Sequence, residues 1–485
     1  MISLRDITIN GIIWSAIGKF GNTAISFFFG IVLARLLTPD DYGTVAMIGI
    51  FFSIASIITD SGFSVALIRK QNRTEVDCST VFFFNIAASV FCFIILFIFA
   101  PEIADFFNRP ILKDIVRILG LNLIIGSFGS VQIALFTSDI NIKILSLIDL
   151  ISSVLSGAVG ILVAYNGLGV WSIVFMGIVG NCLKIAQYWY HSKWRPILVF
   201  SKQSFKELFG YGSKLLGSSL LDSVFSNIQS FVIGKFYTAK DLGYYSRGSG
   251  IANIIGTFVY GTIHSTTLSA LAKVQDDKER LVLIYRKFIK VCSAVVFFVM
   301  VLLATIANPF ITLIYGDKWE PAVIYLQFFC FSAMFYHVHA INVNILLATG
   351  HSGLNLKIEI LKKIWIVIAL AITIPIGPLA MCAISVVTTQ VSLVINTYYN
   401  GKLFNYGYFK QWKDILPYII FSCLACLPAF LMYIFGINKL VVLIGGSILS
   451  TIIYIGFLHF TKDEAYNEIT SLPPFKKITS FISHE

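Results

Sequence analysis

Charged side chains lie inside long apolar stretches of this 485-residue chain. On insertion scales a charge at the centre of a bilayer costs at least about 2.5 kcal/mol, so such residues usually have a task. A cation there can neutralise an anionic group, whereas an ionised carboxylate needs a partner, water or a proton. The candidates for anion binding are Lys19, Arg35, Lys214 and Lys235, and those for ion coupling are Asp60, Asp149 and Asp222.

The composition predicts that lipid surrounds the elements that hold these residues. Hydrophobic residues make up 57% of the chain and charged residues only 13%, an excess that a soluble core cannot hide. A membrane-spanning helix needs about 20 apolar residues, and the chain then predicts an all-α polytopic membrane protein with about fourteen transmembrane helices. The predicted spans are 10–36, 43–68, 79–101, 114–137, 144–165, 168–190, 211–236, 243–270, 287–309, 322–348, 356–375, 378–400, 414–434 and 439–460.

The net charge of +11 follows membrane topology rather than an affinity for nucleic acid. Most cations lie in alternate connectors, as in Arg69, Lys70 and Arg73, and near the chain end at Lys462, Lys476 and Lys477. The positive-inside rule then predicts cytoplasmic N- and C-termini and an even number of spans. No predicted outer connector is longer than about fifteen residues, which leaves no room for a catalytic domain, so we expect no enzyme activity.

An internal repeat divides the predicted spans. The sequence ARLLTPDDYG at 34–43 returns as GKFYTAKDLG at 234–243, with a constant offset of 200 residues between Thr38 and Thr238 and between Gly43 and Gly243. Two further echoes follow in order: APEI at 100–103 with NPFI at 308–311, and NIK at 141–143 with NLK at 355–357. Because six spans separate the first copies, we expect two pseudo-symmetric six-helix lobes as a parallel repeat, plus two C-terminal helices.

The predicted domain bounds follow from this repeat. They are 1–195 for the first lobe, 196–210 for a cytoplasmic interfacial linker, 211–403 for the second lobe, 404–465 for the last two helices and 466–485 for a cytoplasmic tail. The linker alternates apolar and basic residues, which is typical of a segment that lies along a membrane interface.

Four ordered motifs resemble a known family. They are ARLLTPDDYG at 34–43, DSGFSVALIR at 60–69, LGYYSRGSGIAN at 242–253 and LSALAKVQDDKERL at 268–281. They resemble the polysaccharide exporters, Wzx-type and colanic-acid-exporter-like, of the multidrug/oligosaccharidyl-lipid/polysaccharide flippase superfamily. The chain departs from the family pattern at 264–270, where HSTTLSA replaces an expected proline-containing run and leaves the local shape of the eighth span open.

The resemblance implies a function. Proteins of this family flip undecaprenyl-diphosphate-linked oligosaccharide repeat units across the bacterial inner membrane by alternating access, for O-antigen, capsule or exopolysaccharide synthesis. It also implies a polysaccharide polymerase and a chain-length regulator as candidate partners, beside membrane lipids. Alternatives in the same superfamily are a drug or cation antiporter and a flippase for the peptidoglycan lipid precursor.

For this substrate class the buried cations gain specific roles. Lys19, beside the small face formed by Gly18, Gly21 and Asn22, and Lys214 are expected to meet a diphosphate, although each lysine can instead snorkel to an interface. Arg35 and Lys235 either attract the diphosphate outward or cap the last carbonyls of their helices.

The acids suggest proton or sodium coupling, and no other cofactor is expected. Asp222, among serines in GSSLLDSVFSN, is the first choice, and a structural ion pair is its alternative. His337 and His339 are two residues apart, a spacing that does not place them on one helix face, so no metal site is expected.

Overall fold

The structure is a computed structural model that describes residues 4–461 and 464–471. Lys462, Lys476 and Lys477, and most of the predicted tail 466–485, therefore lie outside the described residues. Every regular element in the described part is helical, which confirms the all-α prediction. The chain separates into two compact units, divided between Gly243 and Tyr244. The predicted lobe bounds stay predictions.

Eleven helices lie wholly in the first unit, and a twelfth crosses the division. They are α1 Leu4–Leu36, α2 Pro39–Met47, α3 Gly49–Asp60, α4 Phe63–Arg69, α5 Glu75–Ile98, α6 Ala100–Phe106, α7 Ile111–Ser127, α8 Ser130–Ser138, α9 Ile142–Tyr165, α10 Trp171–His191, α11 Lys202–Phe236 and α12 Ala239–Ala272. Helix α1 packs on α9, α9 on α10, α10 on α7, and α7 on α5, while α11 packs on α2, α3 and α4. Helix α12 continues through 264–270, so HSTTLSA does not interrupt it.

The second unit contains the remaining described helices. They are α13 Lys278–Thr305, α14 Ala307–Tyr315, a 3₁₀ turn Asp317–Trp319, α15 Ala322–Ala333, α16 Tyr336–Ala348, α17 Ser352–Thr373, α18 Pro378–Phe404, α19 Tyr408–Ile434, α20 Lys439–Val441, a π turn Val442–Gly446, α21 Ser447–Phe460 and α22 Glu464–Ser471. Helix α13 packs on α15, α16 and α19, and α18 packs on α15, α16 and α17.

Each of the fourteen predicted spans coincides with one helix or with a broken run of helices. Nine of these runs in the described chain are long and apolar enough to cross a membrane, and a tenth is α7 with α8, bent by 42°. The other four, α10, α11, α12 and α17, carry more polar residues, such as Lys214 and Glu359. The count of fourteen stays a prediction, but the multi-pass character is clear.

The repeat is visible in local structure, with small shifts in register. Helices α5 and α13 both end in a break that is followed at once by a short helix, and the residues at the two breaks are Phe99 and Ile306, an offset of 207 where the sequence echo pairs residues 208 apart. The turns before α9 and α17 also match, because Ile140 and Gly350 both have positive φ values, 55° and 79°. These turns align with an offset of 210, so the NIK echo at 141–143 has its structural counterpart at 351–353 rather than at 355–357.

Candidate functional site

All seven predicted site residues lie in the first unit. Lys19 and Arg35 are on α1, Asp60 ends α3, Asp149 is on α9, and Lys214, Asp222 and Lys235 are on α11. The ammonium groups of Lys19 and Lys214 have no ion pair or side-chain hydrogen bond with any described residue, and both side chains are exposed. These two lysines are therefore the cations in the predicted set that a ligand can reach without first breaking an internal contact.

The small residues beside Lys19 pack against α9. A Cβ atom on Gly18 would overlap Ser146, and one on Gly21 would approach Leu150. The Ser153 hydroxyl donates to the Asn22 side-chain oxygen at 2.5 Å. This face, which the sequence predicts to line a cavity, is a helix-packing face. Lys19 projects from α1 away from that contact, and its role stays a prediction.

A close backbone contact holds α11 against the bend between α3 and α4. Gly62 has a φ of +72°, and added Cβ atoms on Gly62 and on Gly212 would each meet the other segment's backbone. Asp60 and Lys214 lie two residues from this contact on either side. No ion pair joins them among the described residues, since the Asp60 carboxylate instead accepts from the backbone amide of Ser64 at 3.4 Å and from its hydroxyl.

The other two acids differ in their surroundings. Asp149 forms an ion pair with Lys184 of α10, with an oxygen-to-nitrogen distance of 2.7 Å. Asp222 is exposed on α11, one turn beyond Ser218 and Ser219. Asp149 therefore has the partner that an ionised carboxylate needs in an apolar surrounding, and the coupling role of all three acids stays a prediction.

The two copies of the repeated turn adopt the same local structure. The Thr38 amide donates to the Asp41 carboxylate at 2.8 Å, and the Thr238 amide donates to Asp241 at 3.2 Å. The reciprocal bonds, from each aspartate amide to the threonine hydroxyl, are 3.3 and 3.1 Å. Each copy is a capping box that starts the next helix, which explains why Thr and Asp recur at this spacing.

The two turns also contact each other through their glycines. A Cβ on Gly43 would overlap the carbonyl of Ala239, and a Cβ on Gly243 would overlap the carbonyl of Pro39. The contact is reciprocal at the offset of 200 residues that the sequence shows. Only glycine permits so close a backbone approach at both positions.

Two cations connect the repeated turns to the region at the end of α6. The Lys235 ammonium donates to the carbonyl of Phe106 at 2.6 Å and lies 4.0 Å from the centre of that residue's ring. Arg109 forms a bidentate pair with Asp40, at 2.9 and 2.5 Å. Lys235 thus caps the last turn of α6 rather than its own helix. Arg35 is exposed at the end of α1, and its role stays a prediction.

The second unit holds a buried polar network that the sequence does not single out. The Asn342 side-chain oxygen accepts from Tyr285 at 2.6 Å, from Asn400 at 2.7 Å and from Gln411 at 3.0 Å. All four side chains are fully buried. They join α13, α16, α18 and α19, and they are uncharged. Their signal in the sequence is weak, since single Asn, Gln and Tyr residues are common in apolar helices.

The histidines and cysteines hold structural positions. His337 bonds with Ser293 at 2.8 Å and His339 with Asn396 at 2.9 Å, so the two rings have different partners. No group of three metal-ligating side chains occurs among the residues described. All eight cysteines are free.

The helices and the repeated turn identify the general class of protein, and a sequence comparison identifies its family. Long apolar helices and a repeated turn describe a multi-pass membrane protein of the transporter type. A family model described as "Polysaccharide biosynthesis protein" matches residues 32–324, more than half of the chain. The chain belongs to this family.

Comparisons with single proteins agree with this assignment. The chain is 27% identical over 356 residues to teichuronic acid biosynthesis protein TuaB of Bacillus subtilis (strain 168), which covers 73% of this chain and 74% of that protein. It is 23% identical over 377 residues to lipopolysaccharide biosynthesis protein WzxC of Escherichia coli (strain K12), covering 76% of each. A solved structure of lipid II flippase MurJ in an inward closed conformation has a TM-score of 0.73 at 14% identity, over 93% of this chain and 99% of that one.

These matches confirm the resemblance and the helical transporter fold that the sequence predicts. They also bear out the expectation that the protein is not an enzyme. The similarity to MurJ, at its low identity, concerns the fold alone.

Proposed function

We propose that the protein is a flippase that moves undecaprenyl-diphosphate-linked oligosaccharide repeat units across the bacterial inner membrane by alternating access. Membership in a polysaccharide biosynthesis family supports the substrate class. The observation that carries the proposal is that Lys19 and Lys214, on long helices of the first unit, are exposed and have no partner among the described residues.

The chemistry of the substrate explains the need for such cations. A diphosphate is anionic and strongly hydrated, so it crosses a bilayer only where fixed polar or cationic groups replace its water. A lysine is suited to this task because its ammonium is a compact charge on a flexible stem. The prenyl chain can remain in lipid while the head group moves, so the protein needs a polar route only for the diphosphate and the sugars.

We assign the candidate coupling role to Asp222, with Asp60 and Asp149 next. Asp222 is exposed on the same helix as Lys214, so a proton or sodium ion bound there can alter the charge of the same surface. Asp149 is paired with Lys184 of α10. In the proposed topology both termini are cytoplasmic, and a polymerase and a chain-length regulator act on the exported units.

The first experiment is complementation of a strain that lacks its own exporter of this class. Lys19→Ala and Lys214→Ala are expected to reduce surface polysaccharide by about tenfold each at equal expression, because each removes a charge-assisted contact of about 1.5–3 kcal/mol. Lys113→Ala is the matched control, since Lys113 is also an exposed lysine but lies on α7 outside the predicted site. Unchanged export in a lysine variant removes that residue from the proposed mechanism.

A second experiment addresses coupling. Transport in proteoliposomes is expected to respond to an imposed proton or sodium gradient, and Asp222→Asn is expected to lose that response. If the variant keeps the full gradient dependence, Asp222 is not the coupling site.

The two alternatives differ in substrate. A drug or cation antiporter would favour an acidic cavity, whereas the predicted site residues without a partner in the described chain are the cations Lys19 and Lys214. A peptidoglycan-precursor flippase would use the same diphosphate chemistry, and a head-to-head transport assay with both lipids separates it from the proposal.

A further inference from the structure

A small cavity lies where the end of α4 meets the start of α11. Its volume is about 260 Å³, and it is lined by Ala66, Arg69, Lys70, Glu207, Leu208 and Tyr211. This volume is below the roughly 300–1,000 Å³ of pockets that enclose a drug-sized ligand. The cavity therefore suits a single head group, not an oligosaccharide.

One cation of the cavity is already neutralised. The Lys70 ammonium lies 3.1 Å from the Asp77 carboxylate and 3.0 Å from that of Glu207. Partial burial on its own would lower the pKa of Lys70, but the hydrogen bonds to Glu207 and Asp77 outweigh it and raise that pKa above its ordinary value. Lys70 stays charged at neutral pH, and its charge is compensated by the two acids.

The other cation of the cavity has no acceptor in the described chain. The Arg69 guanidinium stacks over the Tyr211 ring, with 4.5 Å between its central carbon and the ring centre. This contact fixes the plane of the guanidinium and leaves its N–H donors unused by any described residue. Lys70 is flanked by two carboxylates, so the uncommitted N–H donors of Arg69 are the groups of this cavity that can bind an anion, and one guanidinium suits one phosphate group.

The surface beside Arg69 is apolar. Val65 is one helical turn before Arg69 on α4 and Ile68 is adjacent, with 46% and 37% of their surfaces exposed. In the predicted orientation this end of α4 is at the cytoplasmic interface, where lipid head groups lie above acyl chains. An anionic head group in the cavity would therefore place its acyl chains along Val65 and Ile68.

We propose that this cavity binds the phosphodiester head group of an anionic glycerophospholipid with free hydroxyls, such as phosphatidylglycerol. Arg69 donates to the phosphate, and the Glu207 carboxylate accepts from a hydroxyl of the head group. A phosphodiester carries one negative charge, which the single uncommitted guanidinium of Arg69 can neutralise, whereas a diphosphate carries more than one guanidinium neutralises. The site is separate from Lys19 and Lys214, and the proposal does not rest on the proposed function.

The test measures lipid binding to the purified full-length protein by native mass spectrometry in non-ionic detergent. Wild-type protein is expected to bind dioleoyl phosphatidylglycerol about tenfold more tightly than Arg69→Gln does, as for one charge-assisted contact. Lys206→Gln is the matched control, because Lys206 is a neighbouring exposed cation on α11 that does not line the cavity. Its affinity is expected to remain within twofold of wild type. Equal thermal stability of the three proteins establishes that each is folded.

Three further ligands distinguish the possible sources of the phosphate. Dioleoyl phosphatidylcholine is expected to bind wild-type protein about tenfold more weakly, and glycerol 3-phosphate without acyl chains is expected to show no binding at the same concentration. Undecaprenyl diphosphate is expected to bind Arg69→Gln and wild type alike. The proposal is overturned if Arg69→Gln and Lys206→Gln bind phosphatidylglycerol equally, if glycerol 3-phosphate binds as tightly as the lipid, or if Arg69→Gln loses only undecaprenyl diphosphate.

Discussion

Polar groups of the apolar helices are held in two opposite ways, with one clear example in each unit. The second unit encloses Tyr285, Asn342 and Gln411 completely and connects them to one another. The first unit leaves the ammonium groups of Lys19 and Lys214 exposed and without a described partner. A polar group in a membrane helix is thus either used to hold helices together or kept available, and only the second kind is suited to a substrate.

The difference has a physical basis. Neutral amides and hydroxyls are satisfied by each other, so a closed network of them is stable where water is absent. A lone ammonium is not satisfied in this way and needs water, an interface or an anion. Burial therefore separates residues that set stability from residues that are candidates for transport.

The largest effect on stability is expected for Asn342→Leu in the network. The change leaves the Tyr285 hydroxyl and the side-chain amides of Asn400 and Gln411 short of a partner in a buried site, with a cost of roughly 3 kcal/mol in the free energy of unfolding. Thermal unfolding in detergent measures it as a lower midpoint.

Two milder substitutions test whether the loss of any tyrosine hydroxyl has the same effect on stability. Tyr285→Phe removes only the buried hydroxyl and is expected to cost about 1 kcal/mol, while the same change at the exposed Tyr398 is expected to be neutral. Equal midpoints for Tyr285→Phe and Tyr398→Phe would show that the network does not stabilise the second unit.

The next effect is expected at the contact between the repeated turns. Gly43→Ala places a methyl group against the carbonyl of Ala239 and is expected to cost about 1–3 kcal/mol. Gly30→Ala on α1 meets no atom within 4 Å and is expected to stabilise the helix by roughly 0.5–1 kcal/mol. If the two variants shift the unfolding midpoint in the same direction, the close contact at Gly43 is not formed in the protein.

The smallest effect is expected for Lys70→Met, because the Lys70 ion pairs are partly exposed. The pairs contribute about 1 kcal/mol or less. The raised pKa gives the sign: the contribution is fully present below the ordinary lysine pKa of about 10.4 and is lost as the pH rises through the higher folded value. The difference in midpoint between wild type and Lys70→Met should be constant from pH 6 to 9. A difference that grows above pH 10 would contradict the ion pairs.

Much of the fold could be predicted from the sequence because its signals are local. Apolar length gives the helices, and the repeated motif at 34–43 and 234–243 identifies two equivalent turns. The reciprocal contact of Gly43 and Gly243 could not be predicted, because it depends on which helices cross. The offset of 210 residues between the turns at Ile140 and Gly350 could not be predicted from the sequence either, since different residues adopt the same backbone conformation there.

The candidate site shows the same limit. Sequence identifies Lys19 as a charge in an apolar helix, but only the packing of Gly18 and Gly21 on α9 shows which face is occupied. For Lys235 the sequence left two alternatives, attraction of a diphosphate or capping of its own helix, whereas the ammonium bonds the carbonyl of Phe106, 129 residues away in the chain. The cavity that contains Arg69 and Glu207 could not be predicted from the sequence, because it forms from two segments that are distant in the chain.

We expect Lys19 and Lys214 to serve transport and not stability. The most direct measurement is the rate at which undecaprenyl-diphosphate-linked oligosaccharide changes leaflet in proteoliposomes that contain wild type or the Lys19→Ala/Lys214→Ala double variant. We predict that the double variant unfolds within about 0.5 kcal/mol of wild type, as for exposed substitutions, and flips the lipid at least tenfold more slowly. A double variant that flips the lipid at the wild-type rate would show that neither lysine takes part in transport.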